Sequence, residues 1–201
     1  FWDIGANIGL YSIYNSLKNP KSTSIAFEAS SSNLRILTRN ISINNLEKKI
    51  KVVPLPLTNK ENIFQDMNEG NFVEGGALNS FGEKFNFEGK EFIPTMKYSL
   101  LGTTMNFLIE NSILEIPDYI KIDVDGIEHL ILEGGDKFLY NSKVKSLSIE
   151  INENFREQYK KVLNSMERYN FKVLHKKNNE NLLPKGSKFT KTYNYTFIKQ
   201  K

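Results

Sequence analysis

Residues 3–9 read Asp3-Ile4-Gly5-Ala6-Asn7-Ile8-Gly9, and this stretch constrains the fold more than any other part of the 201-residue chain. The residues before it, Phe1 and Trp2, look like the last part of a buried strand, and a helical pattern starts at Leu10. Glycines at 5 and 9 let the backbone turn sharply and approach a ligand closely. A strand that feeds a helix through such a turn aims the helix's first amides into the crevice above a parallel sheet. A glycine loop alone marks no more than a tight strand–helix turn, so the remaining chain has to decide. Because the chain opens inside a strand and without methionine, a further segment upstream is expected.

Strand and helix signals alternate after the loop. Leu10 to Asn19 fits a short helix before Pro20, and Ser24 to Glu28 a strand that ends in a carboxylate. Ser31 to Leu46 reads as a helix and Ile50 to Leu55 as a β-branched strand closed by Pro54 and Pro56. The rhythm breaks over 58–100, where five glycines stand among polar and aromatic residues. A hairpin is expected at Phe85 to Phe92, and loop elsewhere, closing over the site. The alternation resumes with a helix capped by Thr103-Thr104, running to about Asn111. A strand at Tyr119 to Val124 precedes a helix at Ile127 to Tyr140, with Gly134-Gly135 near its end. Val144 to Ile151 is a strand that turns Val144, Leu147 and Ile149 inward, and Phe155 to Tyr169 a helix. Phe171 to His175 and Tyr193 to Lys199 are strands with no helix between them, so they pair antiparallel. The expected architecture is α/β. It is a doubly wound, Rossmann-like sheet, mostly parallel with an antiparallel last strand, built as one domain over 1–201 with an insertion at 58–100.

Composition narrows the chemistry. There is no cysteine, which removes a disulfide framework, a thiolate zinc site and a cysteine nucleophile. No apolar run approaches the roughly 20 residues of a membrane-spanning helix, and a cytoplasmic setting is expected. The net charge of +4 is uneven: residues 172–201 carry eight lysines against Glu180, a local +7, and the remainder carries −3. A solvated lysine face explains this tail, and no nucleic-acid partner is expected.

Glu28 ends the second strand about 23 residues after Gly5. In nucleotide-binding α/β folds a carboxylate there accepts hydrogen bonds from both ribose hydroxyls, which points to an adenosine-containing cofactor. The loop's G-x-x-x-G spacing is not the G-x-G-x-x-G of a dinucleotide site. Asp3 at the strand mouth would repel a pyrophosphate but suits a cationic sulfonium, to which it could reach through water. An NAD-dependent oxidoreductase is therefore the rival reading, and a non-catalytic binding domain a second.

The acidic run Lys121-Ile122-Asp123-Val124-Asp125-Gly126-Ile127-Glu128-His129 follows. Asp123 and Asp125 share a face if the strand continues. Asp125 with Glu128 matches a helix capping box, Asp125 as N-cap. Asp123, Asp125 and His129 are the candidates for a general base, in that order. The carboxylates could hold magnesium with Glu150, but nothing fixes the ligand count, so no metal is expected. In a sheet ordered 3-2-1-4-5, Glu150 and Asn152 end the strand beside Asp123. With Glu128 they are the candidates for substrate contact. His175 is read as structural.

Taken together, D-I-G-A-N-I-G (3–9), A-F-E (26–28), T-T-M-N-F-L-I (103–109), K-I-D-V-D-G-I-E (121–128) with Gly134-Gly135, and I-E-I-N (149–152) resemble the FkbM-family methyltransferases. The resemblance implies a class I methyltransferase fold, S-adenosylmethionine as cofactor, and methyl transfer to a hydroxyl of a sugar, glycolipid or other small metabolite. By motif match it assigns Asp3, Gly5, Asn7, Gly9 and Glu28 to the cofactor, and Asp123, Asp125, Gly126 and Glu128 match the family's acidic signature, with Asp123 expected at the cofactor as well. Two departures stand out: Ala29 where the family often has proline, and Asn106 where it often has aspartate.

Overall fold

The computed structural model describes residues 1–91, 93–178, 183–184 and 186–200. Phe92 of the expected hairpin, and Glu180, Lys185 and Lys201 of the basic tail, lie outside the described residues. Strands β1 (Trp2–Ile4), β2 (Ser24–Phe27) and β3 (Ile50–Val53) alternate with helices α1 (Leu10–Lys18) and α2 (Ser31–Ile43). Strands β4 (Ile63–Glu69), β5 (Ser80–Phe81) and β6 (Met96–Gly102) follow. Then come α3 (Met105–Glu110), β7 (Tyr119–Ile122), α4 (Glu128–Glu133), β8 (Ser146–Asn152), α5 (Arg156–Arg168), β9 (Phe171–Lys177) and β10 (Thr192–Lys199).

The main sheet has seven strands in the order β3-β2-β1-β7-β8-β10-β9. The first five are parallel, and β10 runs antiparallel to both β8 and β9, as the missing helix between β9 and β10 requires. Alternation along the strands sorts the side chains. Trp2 and Ile4 of β1 enter the larger core with Leu147, Ile149 and Ile151 of β8. Trp2 packs there between Phe27 and Phe138 at ring separations of 5.2 and 5.9 Å. A smaller core of Ala6, Ala26, Leu37, Ile41, Leu46 and Ile50 joins the sheet to α2, with Ile13 of α1 packed against it.

Three expectations need correction. Residues 58–100 are not mainly loop. The bridge Phe85↔Glu91 marks the expected hairpin, but β4 pairs antiparallel with β5 and β6 in a second sheet. The glycines of this segment hid two seven-residue strands. The helix expected to reach Tyr140 ends at Gly134, where a Cβ would lie 2.2 Å from the Thr58 carbonyl oxygen. That contact lets the chain after β3 pass close to the end of α4. The capping box also does not form. Asp125 lies at φ 62°, the residue before α4 is Ile127, and the helix has no side-chain cap. His175 lies on β9, the late strand in which it was expected, with its side chain exposed.

Among the described residues no helix is long and apolar enough to cross a membrane, and no group of three or more acidic or histidine side chains is placed to hold a metal ion.

Candidate active site

The strand order reverses direction between β1 and β7, and open α/β sheets bind ligands outside the carboxyl ends of their strands at such a switch point. A crevice lies there, lined by Gly5 and Asn7 after β1, Glu28 and Ala29 after β2, Leu55 to Leu57 after β3, and Asp123 to Asp125 after β7. Ile4, Phe27, Met67, Phe81, Ile127 and Ile131 make its apolar floor, and Asn33, Gly76, Ala77 and Asn79 complete the wall.

The glycine loop is fixed by close approach. Gly5 has φ 78°, and a Cβ on it would lie 1.9 Å from the carbonyl oxygen of Asp123. No larger residue fits without separating the two central strands. Glu28 fastens the loop to β2: its Oε2 accepts from the Asn7 amide at 2.6 Å and its Oε1 from the Ser30 amide at 2.8 Å. Burial pushes the Glu28 carboxyl above its ordinary range, against the pull of these amides. The Ala29 amide and the Asn33 side chain also lie against this carboxylate.

Asp3 does not face the crevice. It is fully buried, and its Oδ2 accepts from the Ser12 amide at 3.0 Å and the Ser12 hydroxyl at 2.7 Å. Its work is to hold the first turn of α1 against β1. Lys121 connects it to the site: the Nζ lies 3.0 Å from Asp123 Oδ2, 3.7 Å from Asp3 Oδ1 and 4.7 Å from the Tyr11 ring centroid. Burial alone would lower the Lys121 ammonium, but Asp123 and Asp3 outweigh it and hold it above its usual range.

The other acidic candidates separate by what already engages them. Asp125 Oδ2 accepts from the Leu78 amide at 2.6 Å, and burial, then Asp123, push this carboxyl up to about 6. Glu128 is buried and turns back to accept from the Val124 and Gly126 amides at 3.1 Å each, with Gln158 Nε2 against its other side. Burial first, offset by those amides, places its carboxyl at about 8. Asn152 is spent on structure, donating to the Phe87 carbonyl and accepting from the Asn154 amide. Glu150 accepts no hydrogen bond among the described residues, and burial, then Asp123, raise it to about 9. His129 is outside the crevice lining, packed toward Phe155, and burial lowers it. Asp123 thus remains as the base candidate that lines the crevice without an amide on its carboxylate, its side chain 29% exposed.

Sequence reasoning missed Lys121, Asn33 and the Gly76 wall. Lys121 stands two residues before Asp123 on the same strand face, a spacing that could have found it. Asn33 and Gly76 belong to the site only through tertiary contacts. Asn106 is also explained: its Nδ2 donates to Asp136 at 2.7 Å and its Oδ1 accepts from the Lys137 amide, so the amide ties α3 to the turn after α4. An aspartate could not make the first of these bonds.

A family model described as the methyltransferase FkbM domain matches residues 3–173. Among solved structures, the chain is similar to methyltransferase FkbM from Methylobacillus flagellatus KT, at 14% identity and a TM-score of 0.61, over 98% of this chain and 42% of that one. It therefore spans less than half the length of that protein. It is also similar to an rRNA methylase from Streptococcus thermophilus (12% identity, TM-score 0.54, 100% and 86% covered). A third is M. capricolum TrmK in complex with S-adenosylhomocysteine (14%, 0.51, 100% and 62%). At such identities these likenesses speak to fold alone. No curated protein matches the sequence.

Proposed function

The chain belongs to the FkbM methyltransferase domain family, and from that premise we propose that it binds S-adenosylmethionine in the switch-point crevice and methylates a hydroxyl oxygen of a sugar, glycolipid or other small metabolite. The observation that carries the reading is the crevice itself. It joins a glycine loop clamped by Glu28 at one end to an open carboxylate, Asp123, at the other, across an apolar floor. Such a site suits a ligand with a ribose, a flat apolar base and a cationic centre. A TrmK structure of the same fold is a complex with S-adenosylhomocysteine, and the donor set here is compatible with that molecule.

When bound, S-adenosylmethionine supplies a methyl group on a sulfonium, which the acceptor oxygen displaces in line. Glu28 would take the ribose hydroxyls. Leu55 to Leu57, with Phe81, would enclose the base. Charge is dispersed along the reaction, so alignment and exclusion of water are the main demands on the chain. Asp123 would accept the acceptor's hydroxyl proton, with Lys121 fixing its orientation. Asp125 and His129 are poorer bases here, the first held by Leu78 and the second packed outside the crevice. Glu150 beside Asp123 stays a candidate for acceptor contact, whereas Glu128 and Asn152 would support the site from behind. Two of the eight lysines of the basic tail have internal work: Lys176 pairs with Glu153 at 2.8 Å, and Lys199 donates to the Tyr169 carbonyl at 2.9 Å. This favours a small acceptor over a nucleic acid.

Calorimetric titration with S-adenosylmethionine, S-adenosylhomocysteine and NAD tests the reading, followed by methyl transfer to a panel of hydroxylated glycans and to RNA. Both sulfur ligands should bind, and Glu28→Ala should weaken them about 10- to 100-fold through lost charge-assisted hydrogen bonds. Binding of NAD alone would sink the proposal. Transfer to RNA and to no glycan would overturn the acceptor class.

A further inference from the structure

Residues 70–79 run from β4 back toward β5 and cross the crevice on the way. Gly76, Ala77 and Asn79 line it, so any ligand filling the Glu28 end touches this segment. Its fastenings reach three separate elements. On α2, Asn33 holds it from both sides of one amide: the Gly75 N–H donates to Oδ1 at 2.9 Å, and Nδ2 donates to the Gly76 carbonyl at 3.0 Å. Ser32 adds a bond from its hydroxyl to the Val73 carbonyl at 3.2 Å. On the glycine loop, Asn7 Nδ2 donates to the same Gly76 carbonyl at 3.1 Å. Across the crevice, the Leu78 amide donates to Asp125 Oδ2 at 2.6 Å.

We propose that residues 73–79 form a strap that gates the cofactor pocket, with Asn33 as its principal positioning residue and Asn7 and Asp125 as the other latches. The inference rests on the cofactor reading above and adds to it a route in and out.

The balance of forces favours a gate over a fixed wall. The strap is tied mainly by polar contacts: Val73 is about half exposed, as is Phe72 just before it, and Leu78 is the one large apolar side chain of the strap that is partly buried. Segments that bury little apolar surface open more easily than the core around them. Leu78 sits at φ 66°, a left-handed conformation that costs a branched side chain free energy. Opening would relax that residue and release Asn33. Closing restores all three latches at once and covers Glu28 from above, because Gly76 bonds both to Asn33 and to Asn7, whose amide contacts Glu28.

A gate makes a kinetic prediction that a static wall does not. Weakening the latch should raise the association and the dissociation rates of S-adenosylhomocysteine together, each about five- to tenfold, and change the equilibrium constant less. Two variants test this by different means. Asn33→Ala removes the clamp. Gly75→Ala strains the closed strap at φ 75°, where a Cβ meets nothing nearer than Ile8 at 3.6 Å, and Gly75 does not line the crevice. Surface plasmon resonance reads both rates, and melting checks that the fold survives. Hydrogen exchange at Gly75, Gly76 and Leu78 gives a ligand-free readout. These amides should exchange faster than those of β1 and β7, and faster again in both variants. Unchanged exchange in the variants would overturn the gate whether or not the ligand binds. So would a rise in the dissociation rate alone. If S-adenosylhomocysteine fails to bind while latch-dependent exchange is present, the cofactor reading fails and the moving strap stands.

Discussion

Glu128 shows how one buried carboxyl can shape the pH response of the molecule. It caps the turn after β7 by accepting from the Val124 and Gly126 amides, in a fully buried setting. Burial places its folded value at about 8, well above that of an exposed glutamate. The folded state therefore binds more protons than the unfolded chain across this window, and stability falls as pH rises through it. Asp125, at about 6, and Glu150, at about 9, act in the same direction. The melting temperature of the free protein should drop by several degrees between about pH 5 and about pH 8. Glu128→Gln keeps the amide-accepting oxygen and removes the charge. Its new amide would meet the Gln158 amide, which turns over so that its Oε1, without a partner among the described residues, accepts from it. The variant should melt higher than the parent at pH 8 and flatten the profile between pH 5 and 8, as read by calorimetry at both values. A parallel profile would show that Glu128 does not titrate in this range.

At the scale of elements, two helices were placed by contacts that no periodicity reveals. On α1 the exposed side holds Leu10, Tyr14 and Leu17, and the buried side holds Ser12 and Ser16. An amphipathic reading would turn this helix the other way. Asp3 decides the matter, because a buried carboxylate needs the Ser12 amide and hydroxyl more than α1 needs to hide two leucines. At the end of α4, Gly134 lies against the Thr58 carbonyl. Alanine has the better helix propensity, by about 1 kcal/mol, yet Gly134→Ala should destabilise by about 1–3 kcal/mol, because the backbone of residues 58–59 would have to move. Urea unfolding measures the sign, and a stabilised variant would refute the close approach.

The whole molecule brings the carboxyl ends of β1, β2, β3 and β7 to one rim, so a ligand there ties both halves of the sheet together. Binding to the folded state alone raises stability by about 2.7 kcal/mol at a hundredfold excess over the dissociation constant. S-adenosylhomocysteine should therefore raise the melting temperature in a concentration-dependent way and NAD should not, as followed by scanning calorimetry. Equal shifts from both would point to nonspecific binding. Much of this rim was legible in the sequence. The glycine loop, Glu28 at a strand end, and the acidic run at 121–128 are local patterns, and strand–helix alternation fixes their common edge through the handedness of crossovers. The antiparallel β10 followed from a missing helix, again a local fact. What local pattern could not supply was which partner each polar group would choose. Asp3 turned to Ser12, Asp125 to the strap, Glu128 to its own turn and His129 into the packing around Phe155. The sequence determined the strand–helix alternation of the main sheet and the acidic chemistry of the rim because both are encoded within a few residues. Only the tertiary structure decided which carboxylate stays open to a ligand, since a buried charge takes whatever donors the rest of the fold brings within reach.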